Sequence, residues 1–137
     1  MELLVKINKK LEQRRAILNT IIQNVGIQNK ILKSAQILAE CLKLGGKIIT
    51  AGNGGSASQS EHFSSEMMGR LKNSRTPFPS LSFSSNASLL TCIGNDFGFE
   101  RIFSRQIEGI GTTKDVFIAF TTSCKSRDRK STRLNSS

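Results

Sequence analysis

Two parts of this 137-residue sequence have residue types and spacing that suit chemistry, and the first is a glycine-rich turn. Residues 52–56, Gly-Asn-Gly-Gly-Ser, stand between an apolar stretch and a helical pattern. Glycines in such a turn let backbone N–H groups approach an anion without a Cβ in the way, and the start of a helix adds favourable partial charge. We expect this segment, the glycine turn, to bind a phosphate group. Taken alone, the same pattern also fits a tight connection without a ligand.

The second part is a pair of ionisable side chains on the helix that follows. His62 and Glu66 are four residues apart, so they share one helix face with their Cβ atoms about 6 Å from each other. An imidazole and a carboxylate at this spacing can transfer protons or hold a divalent metal ion. A structural alternative stays open, in which Glu66 is only the hydrogen-bond partner of His62.

Helical and strand patterns alternate along the chain and define the elements that must position these groups. Their order predicts an α/β fold, a parallel sheet flanked by helices on both faces. Asn29 is the expected start of the second helix, and residues 94–96 are expected to interrupt the fourth. The first expected helix ends near residue 26, and the four others cover residues 29–44, 57–70, 86–93 and 99–110. The expected strands cover residues 47–51, 79–84 and 115–121.

Ligands of such sheets bind at the carboxyl ends of the strands, where further polar residues are expected. Asn95 and Asp96 fall near one strand end, and Thr121, Thr122 and Ser123 follow the last predicted strand. These residues and the glycine turn are therefore expected to share one rim of the sheet. Simpler roles stay open, because the first two residues also suit a turn and the hydroxyl cluster also suits a helix cap.

Charge and composition favour a small phosphorylated ligand over a polymer. The net charge is +10, but residues 124–137 contribute +4 and residues 1–15 contribute +3, which leaves +3 for the middle of the chain. Aromatic residues are not interleaved with the basic ones there, as stacking on bases would require. Nucleic acid is therefore not the expected partner, and a basic nucleic-acid-binding module rests on charge alone.

The sequence also predicts a cytoplasmic protein without a membrane partner. No run approaches the roughly 20 apolar residues of a membrane span, and the N-terminus lacks the features of a signal peptide. The three cysteines are widely spaced and odd in number, which indicates free thiols in a reducing compartment. Cys41 and Cys92 are expected to be buried.

Three segments in order carry a resemblance to a known family. ITAGNGGSASQSEHFSSEMMGRL, TCIGNDFGFERIFSRQIEGIG and DVFIAFTTS resemble the sugar isomerase (SIS) domain of sedoheptulose 7-phosphate isomerases, also called phosphoheptose isomerases. The resemblance covers residues 1–123, helical over 1–45 and α/β over 46–123. It implies a three-layer, flavodoxin-like fold, here cut short after the third strand.

The family's functional residues can be transferred to matching positions. The resemblance implies that Glu66 is catalytic and that His62 and Glu66 bind a divalent metal ion, typically Zn²⁺. It implies a substrate-binding set that consists of Asn53, Gly54, Gly55, Ser56, Glu66, Asn95, Asp96, Thr121, Thr122, Ser123 and Ser126.

The implied reaction interconverts a ketose and an aldose, sedoheptulose 7-phosphate and glycero-manno-heptose 7-phosphate, on the route to surface polysaccharide such as lipopolysaccharide. Family members form homotetramers with sites between subunits. A non-catalytic SIS protein, which senses a sugar phosphate or associates with a replication initiator, is the alternative. Residues 124–137 depart from the family pattern, so we expect a disordered tail on an incomplete isomerase that is inactive alone.

Overall fold

The computed structural model describes residues 1–122, so the expected site residues Ser123 and Ser126 and the expected tail 124–137 lie outside the described residues. The described chain divides into two compact units, one over Met1–Ile37 and one that begins at Leu38. The expected helix over residues 99–110 is divided into a short 3-10 helix and an α-helix. The elements are α1 (Glu2–Gln23), α2 (Val25–Lys43), β1 (Ile48–Ala51), α3 (Gly55–Met68), β2 (Ser80–Ser82), α4 (Ala87–Phe97), the 3-10 helix (Phe99–Arg101), α5 (Ser104–Ile110) and β3 (Val116–Ala119).

The first unit is helical, and Asn24 separates its two helices. The Asn24 side-chain oxygen accepts a hydrogen bond from the Ile27 N–H at 3.0 Å, which satisfies an N–H in the first turn of α2. The amide of Gln28 donates to the Ile22 carbonyl at the end of α1 at 2.6 Å. The second helix therefore begins directly after Asn24, and the expected start at Asn29 is wrong. No helix within residues 1–122 is long and apolar enough to cross a membrane.

Two glycines end α2 and begin the approach to the sheet. Gly45 has φ +76°, a conformation that is strained for residues with a Cβ. The N–H of Gly46 donates to the Cys41 carbonyl at 2.9 Å, and a Cβ at Gly46 would overlap the Lys114 carbonyl. Cys41 is buried as expected, whereas Cys92 is exposed and that expectation is wrong.

Strand β1 is the centre of a three-stranded parallel sheet with the order β2-β1-β3. Ile48 pairs with Ser80 on one side and with Val116 on the other. All four residues of β1 are buried, as expected for a strand with a neighbour on each edge and helices on both faces. The predicted α/β class with a parallel sheet flanked by helices is confirmed.

Alternate residues of β1 face two different layers. On one face, Thr50 donates a hydrogen bond to the Ser60 carbonyl of α3 at 2.9 Å. On the other face, Ile49 and Ala51 pack in the apolar core with residues from the segment that contains α4 and α5. That core consists of Ile49, Ala51, Phe83, Ile93, Ile102 and Phe103.

Helix α4 runs through residues 94–96, so the expected interruption there is wrong. Asn86 caps its start by accepting a first-turn backbone N–H at 3.0 Å. At Gly94 a Cβ would lie 3.8 Å from Ile102, which is ordinary packing. The helix instead stops before Gly98, where φ is +91°.

An ion pair joins the amino ends of β1 and β3. Lys47 Nζ lies 2.5 Å from Asp115 Oδ2, and the Asp115 side chain is only 6% exposed. The carboxylate also accepts the N–H of Lys47 at 2.9 Å and the N–H of Thr112 at 2.8 Å. Burial alone raises the pKa of Asp115, but these hydrogen bonds together outweigh it and hold the pKa below its ordinary value.

Candidate functional site

The glycine turn connects β1 to α3 at the carboxyl end of the central strand. Gly54 has φ +55°, which a side chain would strain. The Ser56 N–H donates to the Asn53 carbonyl at 3.0 Å, and the next N–H donates to the Gly54 carbonyl at 3.0 Å. Among residues 1–122, no side chain caps the start of this helix. The turn therefore combines a glycine conformation with a helix start that can accept an anion.

Exposure differs among the residues expected to hold the phosphate. Gly54 and Gly55 are exposed and Asn53 is half-buried, whereas Ser56 is buried at 8% exposure. Neither exposed glycine would bring a Cβ within 4 Å of another group. The backbone of the two glycines is thus the part of the turn that a solvent-borne anion can reach.

The segment after β3 begins beside the glycine turn. The Phe120 N–H donates to the Ala51 carbonyl at 2.8 Å, which extends the β1–β3 pairing to the residue before the turn. Thr121 is half-buried and Thr122 is exposed. The structure therefore brings these two predicted phosphate-binding residues to the same end of the sheet as the turn.

His62 and Glu66 lie together on α3. The His62 Nε2 and Glu66 Oε1 atoms are 4.0 Å apart, with side chains 77% and 32% exposed. The neighbouring Phe63 ring packs against Phe120, with centroids 5.9 Å apart. The imidazole and carboxylate can therefore converge on one small ligand at the surface of α3.

The pair lies away from the sheet, however. The buried residues of α3 are Ser56, Ser60 and Ser64, which form one stripe. At about 100° per residue, His62 and Glu66 lie on the opposite side of the helix, and His62 is about 10 Å along the axis from its start. The structure thus brings the two side chains to each other but does not place them in the glycine turn.

The donor set fits part of a zinc site. Zinc in proteins takes four ligands, of which nitrogen and oxygen donors from His and Glu are common. His62 and Glu66 provide two such donors at compatible spacing. Within residues 1–122 no group of three or more His, Cys, Asp or Glu side chains could hold a metal ion.

Asn95 and Asp96 occupy the last turn of α4, and both are exposed. The Asn95 amide donates to Asp96 Oδ1 at 2.8 Å, and the Cys92 thiol lies 3.6 Å from Asp96 Oδ2. In the described chain their polar contacts are with each other and with this thiol. Within residues 1–122, neither side chain is hydrogen-bonded to the glycine turn.

A groove of about 600 Å³ lies between α4 and α5. Its lining is mostly apolar and includes Leu89, Ile93, Phe97 and Ile110. None of the predicted site residues within 1–122 lines this groove. The groove and the candidate site therefore share no residue within 1–122.

Sequence reasoning missed a ladder of buried hydroxyl groups between α3 and the sheet. Serines recur every fourth residue on α3 and every second residue on β2, and this spacing was the available signal. Their small side chains allow the helix to approach the sheet closely, and the hydroxyls of Ser60, Ser64, Ser80 and Ser82 find partners. The hydrogen bonds join Thr50 to Ser64 at 2.9 Å, Ser60 to Ser82 at 2.8 Å and Ser80 to Ser64 at 3.1 Å.

Sequence reasoning also missed Ser84, which contacts the start of the glycine turn. Its hydroxyl accepts the N–H of Gly52 at 3.0 Å and donates to the Gly52 carbonyl at 2.8 Å. A Cβ at Gly52 would overlap the Ser56 carbonyl. The turn is therefore fixed both to the end of β2 and to the first turn of α3.

The fold and the site together define a sheet-and-helix domain with a glycine turn at the end of its central strand. The family model of the SIS domain matches residues 11–128, most of the chain, and the chain belongs to the SIS domain family. The resemblance drawn from the sequence is confirmed.

The similar proteins described next are all named phosphoheptose isomerase. The chain is 47% identical over 100 residues to phosphoheptose isomerase 1 of Campylobacter jejuni subsp. jejuni, which covers 73% of this chain and 54% of that protein. A phosphoheptose isomerase structure from Francisella tularensis matches with a TM-score of 0.87 at 30% identity and covers 98% of this chain and 69% of that one. The phosphoheptose isomerase GmhA from Neisseria gonorrhoeae gives a TM-score of 0.83 at 29% identity, with 98% and 68% covered. The chain spans about half the length of the curated relative.

Proposed function

We propose that this chain carries the phosphate-binding part of a phosphoheptose isomerase, which interconverts sedoheptulose 7-phosphate and glycero-manno-heptose 7-phosphate. The observation that carries the proposal is the glycine turn, whose exposed glycines lead into the start of α3 at the same end of the sheet as Thr121 and Thr122. The names of the relatives supply the reaction and the sugar.

The terminal phosphate of the sugar binds over the glycine turn. Gly54 and Gly55 leave the backbone open to an anion from solvent, and the start of α3 contributes partial positive charge. The hydroxyls of Thr121 and Thr122 donate from the neighbouring strand end. Phosphate binding far from the reacting carbons orients the sugar chain.

Proton transfer is the chemical step, and Glu66 is the proposed base. Its carboxylate takes a proton from the hydroxyl-bearing carbon next to the carbonyl and returns it to the former carbonyl carbon, while the hydroxyl proton passes to the former carbonyl oxygen, so that a ketose becomes an aldose. Asn95 and Asp96 hold sugar hydroxyls in this proposal. His62 and Glu66 together hold a zinc ion, which when bound stabilises negative charge that develops on oxygen.

The exposed position of His62, beside the half-buried Glu66, supports completion of the site by further residues. The pair provides two donors, and a zinc site takes four. We propose that a homo-oligomer, a tetramer by family resemblance, assembles around such sites. Apolar side chains on α1 that are 47–72% exposed, Leu3, Leu4 and Ile7, support burial between subunits.

We also propose that the protein is cytoplasmic and that its product supplies heptose for lipopolysaccharide. The free thiols Cys41 and Cys92 support a reducing compartment. The non-catalytic alternative needs the turn but not the metal pair, so zinc binding separates the two functions.

Calorimetric titration of the 137-residue chain tests the proposal. Sedoheptulose 7-phosphate is expected to bind, and sedoheptulose without phosphate is expected to bind far more weakly. Turnover is expected only in an assembly that supplies the remaining metal donors, and it is expected to disappear in Glu66→Gln. Equal affinity for the two sugars would contradict the proposal.

A further inference from the structure

Ser84 holds both backbone polar groups of Gly52. The hydroxyl accepts the Gly52 N–H at 3.0 Å and donates to the Gly52 carbonyl at 2.8 Å. Ser84 is buried at 9% exposure and Gly52 is buried as well. Water is therefore a poor substitute for this hydroxyl, and both bonds depend on one side chain.

The Ser84 hydroxyl lies just beyond the point where the backbone pairing of β1 with β2 ends. The β1–β2 register ends at Thr50 opposite Ser82, and the Phe83 N–H adds one more hydrogen bond to the Thr50 carbonyl at 2.8 Å. No backbone partner from β2 reaches Gly52 among the described residues. Ser84 supplies through its side chain the donor and the acceptor that a longer strand would have supplied through its backbone.

The position of Gly52 in turn determines where α3 begins. A Cβ at Gly52 would overlap the Ser56 carbonyl, so the backbone of the turn lies directly against the first turn of the helix. A displacement of Gly52 must therefore move the helix start or break this contact. Ser84 is linked in this way to the N–H groups at the start of α3.

We propose that Ser84 is a positioning residue that sets the geometry of the glycine turn for phosphate binding. It does not touch the phosphate and acts only through Gly52. One consequence of this inference, weaker phosphate binding when the Ser84 hydroxyl is removed, rests on the proposed function. The positioning itself is measurable without a ligand.

Ser80 provides a matched control for a purely structural effect. It is also buried, at 8% exposure, and its hydroxyl bonds to Ser64 in the middle of α3 at 3.1 Å. Ser80→Ala removes a buried hydroxyl of the same type from β2, the strand that precedes Ser84, but leaves the contact with Gly52. Ser84→Thr keeps a hydroxyl at the tested position and serves as the conservative variant.

The experiment combines amide hydrogen exchange with titration by inorganic phosphate and sedoheptulose 7-phosphate. In Ser84→Ala, amides of the glycine turn are expected to exchange faster, and both ligands are expected to bind about tenfold more weakly, as the loss of one or two hydrogen bonds predicts. Ser80→Ala is expected to lower thermal stability without either change. Ser84→Thr is expected to restore most of the affinity.

The outcomes separate this inference from the proposed function. If the wild-type chain binds neither ligand, the phosphate proposal fails, and the exchange rates alone decide whether Ser84 positions the turn. If the wild type binds phosphate and Ser84→Ala matches it in affinity and exchange, the positioning role is overturned. Equal losses in Ser84→Ala and Ser80→Ala would also overturn it, because they would reflect general stability.

Discussion

The guanidinium of Arg75 donates a hydrogen bond to the backbone carbonyl of Glu66 at 2.8 Å. A second nitrogen of the same group donates to the Met67 carbonyl at 2.9 Å, and the guanidinium lies 4.1 Å from the centroid of the Phe78 ring. A cation at this end of a helix satisfies free carbonyls and interacts favourably with the dipole. Arg75 therefore fixes the end of the helix that carries the proposed base.

Replacement of Arg75 is expected to loosen the end of α3. Arg75→Ala should lower the free energy of unfolding by about 1–2 kcal/mol, because two charge-assisted hydrogen bonds are lost. Denaturant unfolding measures this change, and Lys72→Ala, at an exposed neighbouring position, is the control. Equal midpoints for both variants would show that Arg75 does not stabilise the helix end.

The glycine turn should respond differently to alanine at two of its positions. Gly52→Ala places a Cβ against the Ser56 carbonyl, so we expect loss of phosphate binding and a destabilisation of roughly 2 kcal/mol or more. Gly55→Ala meets open space and should leave stability within about 0.5 kcal/mol. Thermal melts of the two variants measure the difference in stability, and phosphate titration of Gly52→Ala measures the loss of binding. Wild-type behaviour in Gly52→Ala would contradict the close approach.

The Lys47–Asp115 ion pair predicts a defined dependence of stability on pH. The folded pKa of Asp115 lies below its ordinary value of 3.8, so the unfolded chain binds this proton more tightly than the folded chain. The contribution is therefore complete above about pH 5 and is lost as pH falls below 3.8 through the folded pKa. Asp115→Asn should flatten this part of the acid unfolding curve.

The same pair should contribute to stability at neutral pH. Lys47→Met removes the charged partner of a carboxylate that is 6% exposed, and we expect a loss of about 1–3 kcal/mol. Urea unfolding at pH 7 measures it. Lys114→Met, at an exposed position near the same strand ends, should change little. A loss no greater than that of Lys114→Met would show that the pair is not stabilising.

Zinc binding should depend on both members of the α3 pair. His62→Ala and Glu66→Ala should each reduce zinc affinity strongly, because each removes one of the two donors that lie 4.0 Å apart. Glu61→Ala, at an exposed position beside them, should bind zinc as the wild type does. Metal titration with a competing chromophoric chelator gives the comparison. Unchanged affinity in the His62 and Glu66 variants would place the metal elsewhere.

The alternation of apolar runs and helical patterns was sufficient to predict the parallel sheet. Strand β1 and the glycine turn were found correctly because Ile48 and Ile49 form a continuous buried run followed directly by turn residues. The break expected at Gly94 was wrong because a glycine in a helix is compatible with close packing. The conformation that stops α4 occurs at Gly98, and sequence alone does not reveal which glycine adopts a positive φ.

The hydroxyl contacts of the site were harder to predict. The serines on either side of Leu81 gave no sign of burial, since polar residues usually face solvent. In the structure Ser82 and Ser84 are buried, because the Ser82 hydroxyl pairs with Ser60 of α3 and the Ser84 hydroxyl pairs with Gly52. The pairing of Ser82 with Ser60 depends on α3 lying over β2. The periodicity of apolar residues does not reveal this arrangement. The position of His62 on the outer side of α3 escaped prediction for the same reason.

The most direct test of the central claim is a titration of the ¹⁵N-labelled chain with sedoheptulose 7-phosphate, followed by NMR. The account predicts that the amides of Gly54, Gly55 and Ser56 shift first and most, and that inorganic phosphate competes for the same amides. Shifts confined to the groove between α4 and α5, with the glycine turn unchanged, would contradict it.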